Sequence, residues 1–255
     1  MDTEAYLERI NYQGSLEPTA ETLRGLQVAH LLAVPFENLS IHAGQPIVLE
    51  DEALFAKIVE RRRGGFCYEA NGLFAALLRA LGFSVRMLSA GVADAEGGFG
   101  PDFDHMALLV TTPGRRWLVD VGFGDSFREP LLLDERGEQV QDGGRAYRVL
   151  PDGAHLILAR RDEGDEWKAQ YRFTLQTYEY PDYAGMCRYH QTSPQSHFTR
   201  ARVCSRATEG GRVTLSEMRF IETTEKSGER RERAVTSQEE YAALLREHFG
   251  IVMAS

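Results

Sequence analysis

The hydrophobic period of this chain changes at Gly82, and that change limits the folds open to it. Before it, apolar residues recur at helical spacing. TAETLRGLQVAHLLAV aligns Leu23, Leu26, Val28, Leu31 and Leu32, with Thr19 or Thr22 as its cap. LEDEALFAKIVERRR predicts a second helix. A third opens at Cys67, with Leu73, Phe74, Leu77, Leu78 and Leu81 on one side and Gly82 as a natural stop. From Phe83 the runs are short and β-rich: FSVRMLSAGV, HMALLVTT, RRWLVDVGFG, QVQDGGRAYRVL, AHLILARR and QYRFTLQTYEY, then hairpins in RVCSRATEGGRVTLSEMRFIETTEK. SQEEYAALLREHFG returns to helix, with a Ser237/Glu240 capping box and Gly250 at its end. Helices segregated from strands in this way predict an α+β protein with a helical N-terminal part, a β-rich middle and a β-then-helix end.

A chain of 255 residues, 43% hydrophobic and 26% charged, has ample material for a core and reads as an ordinary soluble protein. Its net charge of −9 disfavours nucleic acid as a partner. No apolar run approaches the ~18–20 residues that span a bilayer, so no membrane partner is expected. MDTEAYLERI has neither the basic region nor the apolar core of a signal peptide, which predicts a cytoplasmic protein. Cys67, Cys187 and Cys204 make an odd count without CxxC or metal-ligand spacing. That pattern suits a reducing compartment and argues against a disulfide frame or a metal site.

RGGFCYEANG places one of the three thiols at a helix start. Unpaired N–H groups and the macrodipole there favour a thiolate, and Gly64 and Gly65 allow close approach of the backbone and leave space above the sulfur. At an ordinary pKa of ~8.5 only about 3% of a thiol is ionised at pH 7, so a base is still required. Of seven histidines, His105 is the one that opens a strongly apolar strand, HMALLV. Asp120 lies inside the next, WLVDVGF, where a carboxylate needs a partner. If Pro113-Gly114 is a two-residue turn, Thr112 faces Arg115 and His105 faces Gly122, which puts Asp120 on the face of His105 in a diagonal position. A four-residue loop keeps the face and changes the distance; a three-residue loop places the two on opposite faces. Cys67, His105 and Asp120 then supply a nucleophile, a base and an orienting acid.

RGGFCYEANGLF (63–74), DHMALLV (104–110) and RRWLVDVGFG (115–124), in this order, with VPFENLS (34–40) upstream, resemble the arylamine N-acetyltransferases. The resemblance covers nearly the whole chain and is weakest over 131–180. It implies three domains: residues 1–82 as a helical bundle carrying the nucleophile, 83–190 as a β-barrel carrying His105 and Asp120, and 191–255 as an α/β lid. It implies a papain- or transglutaminase-like Cys67–His105–Asp120 triad. Acetyl-coenzyme A is then the acyl donor and co-substrate, an arylamine or arylhydrazine the acceptor, and transfer is ping-pong, with no metal or prosthetic group. Phe36 and Phe123 match positions near the acceptor pocket, with a plain core role the competing reading for Phe36. Arg9, Glu37 and Arg63 match a buried charge cluster that fixes the loop before Cys67. Two features depart from the family pattern: Asp104 before His105, and CRYHQ before TSPQSHF. GFGD and AEGGFG can approach phosphates through backbone N–H groups, although tight turns also explain them. A cysteine hydrolase or transglutaminase-like enzyme, an amide synthase on the same fold, and a silent binding module for coenzyme A or small aromatics are the rival functions.

Overall fold

The structure, a computed structural model, describes residues 1–141, 143–162, 164–224 and 228–253. The N-terminal part contains helices α1 (Thr3–Arg9), α2 (Ala20–Ala33), α3 (Leu39–His42), α4 (Asp51–Phe55) and α5 (Cys67–Ala80). A two-residue strand, β1 (Phe36–Glu37), separates α2 from α3, and a π-helical turn, Ala56–Glu60, continues α4. Thr19 caps α2 by accepting from the Thr22 N–H. The predicted second helix is therefore half α and half π. The wider turn buries three consecutive residues, Lys57, Ile58 and Val59, and so turns a lysine inward.

The middle of the chain contributes β2 (Ser84–Val92), β3 (His105–Thr112), β4 (Arg115–Val119), β5 (Leu131–Leu132), β6 (Gln139–Val140), β7 (Ala146–Asp152), β8 (His155–Arg161) and β9 (Lys168–Tyr178). They form one antiparallel sheet in the order β5-β4-β3-β2-β9-β8-β7-β6. Its two edges meet through a side chain: Gln139 accepts from the Leu132 N–H at 2.7 Å and donates to the Leu132 carbonyl at 3.0 Å. The sheet thereby curls into a nearly closed barrel around Leu88, Leu109, Leu118, Phe127, Tyr147, Leu158 and Phe173. Closure hides most of the edge a flat sheet would expose.

Helices α6 (Tyr180–Thr192) and α7 (His197–Arg200) lead to β10 (Val203–Thr208), β11 (Gly211–Ser216), β12 (Arg219–Thr224), β13 (Arg230–Ala234) and α8 (Gln238–Phe249). The strands form a meander whose first neighbour is β1, giving the order β1-β10-β11-β12-β13. Ser237 caps α8 by accepting from Glu240 N–H, but the Glu240 carboxylate reaches back to Thr236 N–H, one residue beyond the expected box. Gly250 ends the helix at φ +68.

Helix α6 was not expected from the sequence. Its signals are Pro181 in the first turn and Asp182, whose carboxylate accepts from the Glu179 N–H. Tyr183 and Cys187 pack into the same core as α1, α2 and α5. The expected boundary between 190 and 191 thus cuts a helix, and residues 180–192 pack with the N-terminal helices.

Candidate active site

Cys67 is the first residue of α5, and the extended Phe66 precedes it. The Phe66 N–H donates to Glu69 Oε2 at 3.2 Å, so a first-turn carboxylate satisfies one orphan donor of the helix. The two glycines before Phe66 do something other than leave room above the sulfur. A Cβ on Gly64 would sit 1.9 Å from the Pro35 carbonyl oxygen, and Gly65 bridges to Phe36, with the Glu37 N–H donating to the Gly65 carbonyl at 3.0 Å. They dock the loop onto the PFE segment. The glycine that makes room beside Cys67 is Gly122, where a Cβ would lie 2.7 Å from Cys67 Cα.

The β3–β4 hairpin turns on Pro113-Gly114, and its register runs from Thr112↔Arg115 to Leu108↔Val119. Continuing the same register beyond the ladder brings His105 and Asp120 together, with His105 Nε2 at 2.7 Å from Asp120 Oδ2. Both side chains are buried. Asp120 Oδ1 accepts from Asn71 Nδ2 and from the Gly122 N–H, each at 2.9 Å. A carboxylate that accepts on both oxygens takes the hydrogen on Nε2 of the imidazole. Asn71 also donates to the Met106 carbonyl at 2.6 Å and accepts from the Val121 N–H at 2.9 Å. It joins α5, β3 and the strand end that holds Asp120. The sequence reading passed over Asn71, although four residues after Cys67 it shares that residue's helix face.

Burial pushes the Cys67 thiol well above its ordinary value; the Met106 N–H opposes the shift, and the Asp120 charge adds to it. The helix N-terminus does not by itself leave a free thiolate in such a place, so ionisation of this sulfur needs an acceptor for its proton.

The Phe123 ring lies 5.2 Å from that of His105 and 5.3 Å from Tyr171, which is itself 5.1 Å from His105. Phe36 is partly buried, 6.1 Å from the ring of Phe198, a residue that the sequence reading did not single out. Below Cys67 lies a set of buried charges. Arg63 Nη2 is 2.8 Å from Glu37 Oε1, and Lys57 Nζ is 2.7 Å from Glu69 Oε1 and 3.7 Å from Glu37 Oε1. Burial opposes the Glu37 charge, but Lys57, Arg63 and the Leu39 N–H outweigh it and hold the carboxyl below its ordinary value. At Glu69 burial prevails over Lys57, and the carboxyl is raised. Arg9 is not an ion-pair partner of Glu37: its guanidinium donates to the carbonyls of Ile58, Ala33 and Arg63, clamping the backbone behind the cluster. Lys57 and Glu69, absent from the sequence reading, complete the set. Among the described residues no three His, Cys, Asp or Glu side chains are grouped to hold a metal ion.

A family model described as N-acetyltransferase matches residues 19–255. The arylamine N-acetyltransferase of Mycolicibacterium smegmatis is 39% identical over 221 residues, 84% of this chain and 80% of that protein. Proansamycin X synthase of Amycolatopsis mediterranei is 33% identical over 251 residues, 96% of this chain and 95% of that protein. The structure of Mycobacterium marinum arylamine N-acetyltransferase in complex with CoA superposes with a TM-score of 0.90 at 35% identity, covering 98% of this chain and 93% of that one. The fold is that of an N-acetyltransferase. Within that class the chain belongs to the arylamine N-acetyltransferase family.

Proposed function

We propose that this chain transfers an acetyl group from acetyl-coenzyme A to an arylamine or arylhydrazine through a thioester on Cys67. The observation that carries the reading is the buried His105–Asp120 pair on a hairpin packed against the first turn of α5, where Cys67 begins the helix. With Nε2 engaged by Asp120, Nδ1 is the nitrogen that exchanges a proton with the sulfur. Proton transfer from Cys67 to His105 replaces a lone buried thiolate, which burial disfavours, with a thiolate beside an imidazolium that Asp120 stabilises. The thiolate attacks the thioester carbonyl and expels coenzyme A, whose sulfur takes the proton from His105 and leaves the imidazole neutral. Exchange between two sulfurs is nearly balanced, so the acetyl-enzyme discharges readily to the next acceptor. An arylamine is neutral at pH 7 and attacks without first losing a proton; His105 takes one as the C–N bond forms. In this reading Phe123, edge-on to His105, and Phe36, across from Phe198, hold the aryl ring. Arg63, Glu37, Gly64 and Gly65 hold the loop that presents the sulfur. The helical part carries the nucleophile, the barrel carries base and acid, and the C-terminal meander with α8 serves as lid, in a cytoplasmic setting where thiols stay reduced.

Intact mass after addition of acetyl-coenzyme A, then of an arylamine, tests the reading. One acetyl group mapped to Cys67, lost on adding the amine, is the expected result; label on Cys187 or Cys204, or none, overturns it. A second reading is favoured by the nearly full-length match to a protein named as a synthase: an amide synthase acting on a carrier-bound chain. It requires that Cys67 not take acetyl from free acetyl-coenzyme A.

A further inference from the structure

Two sequence features that depart from the family pattern, Asp104 and the histidine of CRYHQ, meet in the structure. His190 Nε2 lies 3.2 Å from Asp104 Oδ1. His190 is buried, and the Asp104 side chain is 21% exposed. The approach is at ion-pair distance but off the hydrogen-bond direction. The other Asp104 oxygen accepts from the Val92 N–H at 3.3 Å. On the far side of the imidazole, Nδ1 is 3.1 Å from Ser196 Oγ, which also accepts from the Phe198 N–H and caps α7. The pair therefore ties the α6–α7 segment to the residue before His105.

A second observation concerns the turn that Asp104 closes. The Asp104 N–H donates to the Pro101 carbonyl at 3.3 Å, and Phe103 between them has φ +65. That region suits glycine or asparagine and is an outlier for a bulky side chain. Such a conformation persists only where its surroundings over-determine it, and it concentrates where function demands a fixed geometry. Here the restraints are visible. Ser89 Oγ accepts from the Phe103 N–H at 2.7 Å, the Tyr68 hydroxyl donates to the Phe103 carbonyl, and the rings of Tyr178 and Tyr183 lie 4.7 and 5.2 Å from that of Phe103. The Asp104–His190 contact adds a tether from another part of the chain. The turn feeds directly into His105, whereas Asp120 is held from the opposite side by Asn71 and Gly122. A shift of the turn moves the base while its partner stays.

We propose that Asp104 and His190 are positioning residues for His105: their pairing locks the strained turn at 101–104 and thereby sets the imidazole between Cys67 and Asp120. The inference rests on the triad reading above. A wild-type protein that never acetylates Cys67 defeats that reading, whereas the comparison of variants with an active wild type decides this one. The experiment is single-turnover acetylation of Cys67 by acetyl-coenzyme A in Asp104→Asn, His190→Gln and the double variant, alongside their melting temperatures. Misplacement of a group by about an ångström costs up to ~100-fold, so each single variant is expected to slow acetylation about ten- to a hundredfold with KM for acetyl-coenzyme A within about threefold of wild type. The double variant is expected to be no slower than the worse single, because the two act as one unit. Wild-type rates accompanied only by lower melting temperatures, or losses that add in the double variant, overturn the proposal. Asp104→Asn keeps the shape of the side chain and decides the matter alone if His190→Gln does not fold.

Discussion

Asp120 accepts on both oxygens, and the two sides differ in what a neutral amide would change. Asparagine at 120 can still present a carbonyl oxygen to Asn71 and the Gly122 N–H. Its NH₂ then faces His105, forces the lone pair onto Nε2 and leaves the imidazolium without a counter-charge. Asp120→Asn is therefore expected to keep a native circular dichroism spectrum and to slow Cys67 acetylation on the order of 10²–10³. In a serine triad the same change costs ~10⁴, and a thiol depends less on its base. Near wild-type acetylation in a folded variant would reduce Asp120 to a structural partner of the hairpin. The thiol offers a second prediction. Burial alone raises Cys67, whereas an imidazolium beside it lowers the pH at which it ionises. Iodoacetamide rates should titrate in wild type with a midpoint below ~8.5, and the midpoint should move above ~8.5 in His105→Gln, where burial acts unopposed. The same midpoint in both proteins would mean that no such pair forms in the free enzyme.

At the scale of elements, the loop before α5 is held by charges that come from three places: β1, the π-helical turn and α5 itself. Glu37 and Glu69 share Lys57, and Arg63 closes on Glu37. Removing one partner strands another in the interior. Glu37→Gln and Arg63→Ala are each expected to cost ~3–5 kcal/mol in denaturant melts, against ~0–1 kcal/mol for an exposed pair. The pH dependence follows in sign. Because the folded Glu37 carboxyl lies below its ordinary value, its contribution is full above an unfolded pKa of ~4.3 and is lost as pH falls through the lower folded value. Glu37→Gln should therefore flatten the acid limb of stability below about pH 4.3; an acid limb as steep as in wild type would show that other carboxylates carry it. These elements also mark what was legible in the sequence. The period change at Gly82, the two-residue turn at Pro113-Gly114 and the polar residues misplaced in apolar strands led to α5, the hairpin and the His105–Asp120 pair, because each is a local signal. Lys57 and Glu69 were illegible because the π turn that brings lysine inward has no local signature, and Arg9 could not be told from an ion-pair partner without the carbonyls it clamps. Helix α6 was lost because its apolar positions are few and its start follows directly on a strand.

For the whole molecule, the two ends of the chain are joined at VPFENLS. Glu37 and Phe36 are the first strand of the C-terminal sheet, paired with Cys204 and Ser205. Asn38 extends the junction through its side chain, donating to the carbonyls of Phe198 and Ala201 at 2.9 and 2.7 Å and accepting from the Val203 N–H at 2.8 Å. Arg206 adds a second tie, donating to the carbonyls of Leu32 and His248. A two-residue strand contributes little pairing of its own, so Asn38 carries much of the registration between the helical part and the meander. Truncation to alanine leaves three backbone groups of the 198–203 segment without their partner. A buried group left unsatisfied costs ~1–3 kcal/mol, and water reaches some of these once the side chain is gone, so Asn38→Ala is expected to lose about 2–3 kcal/mol in all. The loss should not be uniform. Barrel strands β2, β3 and β4 keep their own ladder and core, whereas β10 loses its anchor to β1. Hydrogen exchange by mass spectrometry should therefore show protection falling in peptides from 198–216 well before it falls in peptides from 84–119, and acetylation of Cys67 should slow with it, since β1 also backs the Gly64–Gly65 loop. Equal loss of protection in both regions would mean that meander and barrel unfold as one unit and that Asn38 adds only to global stability.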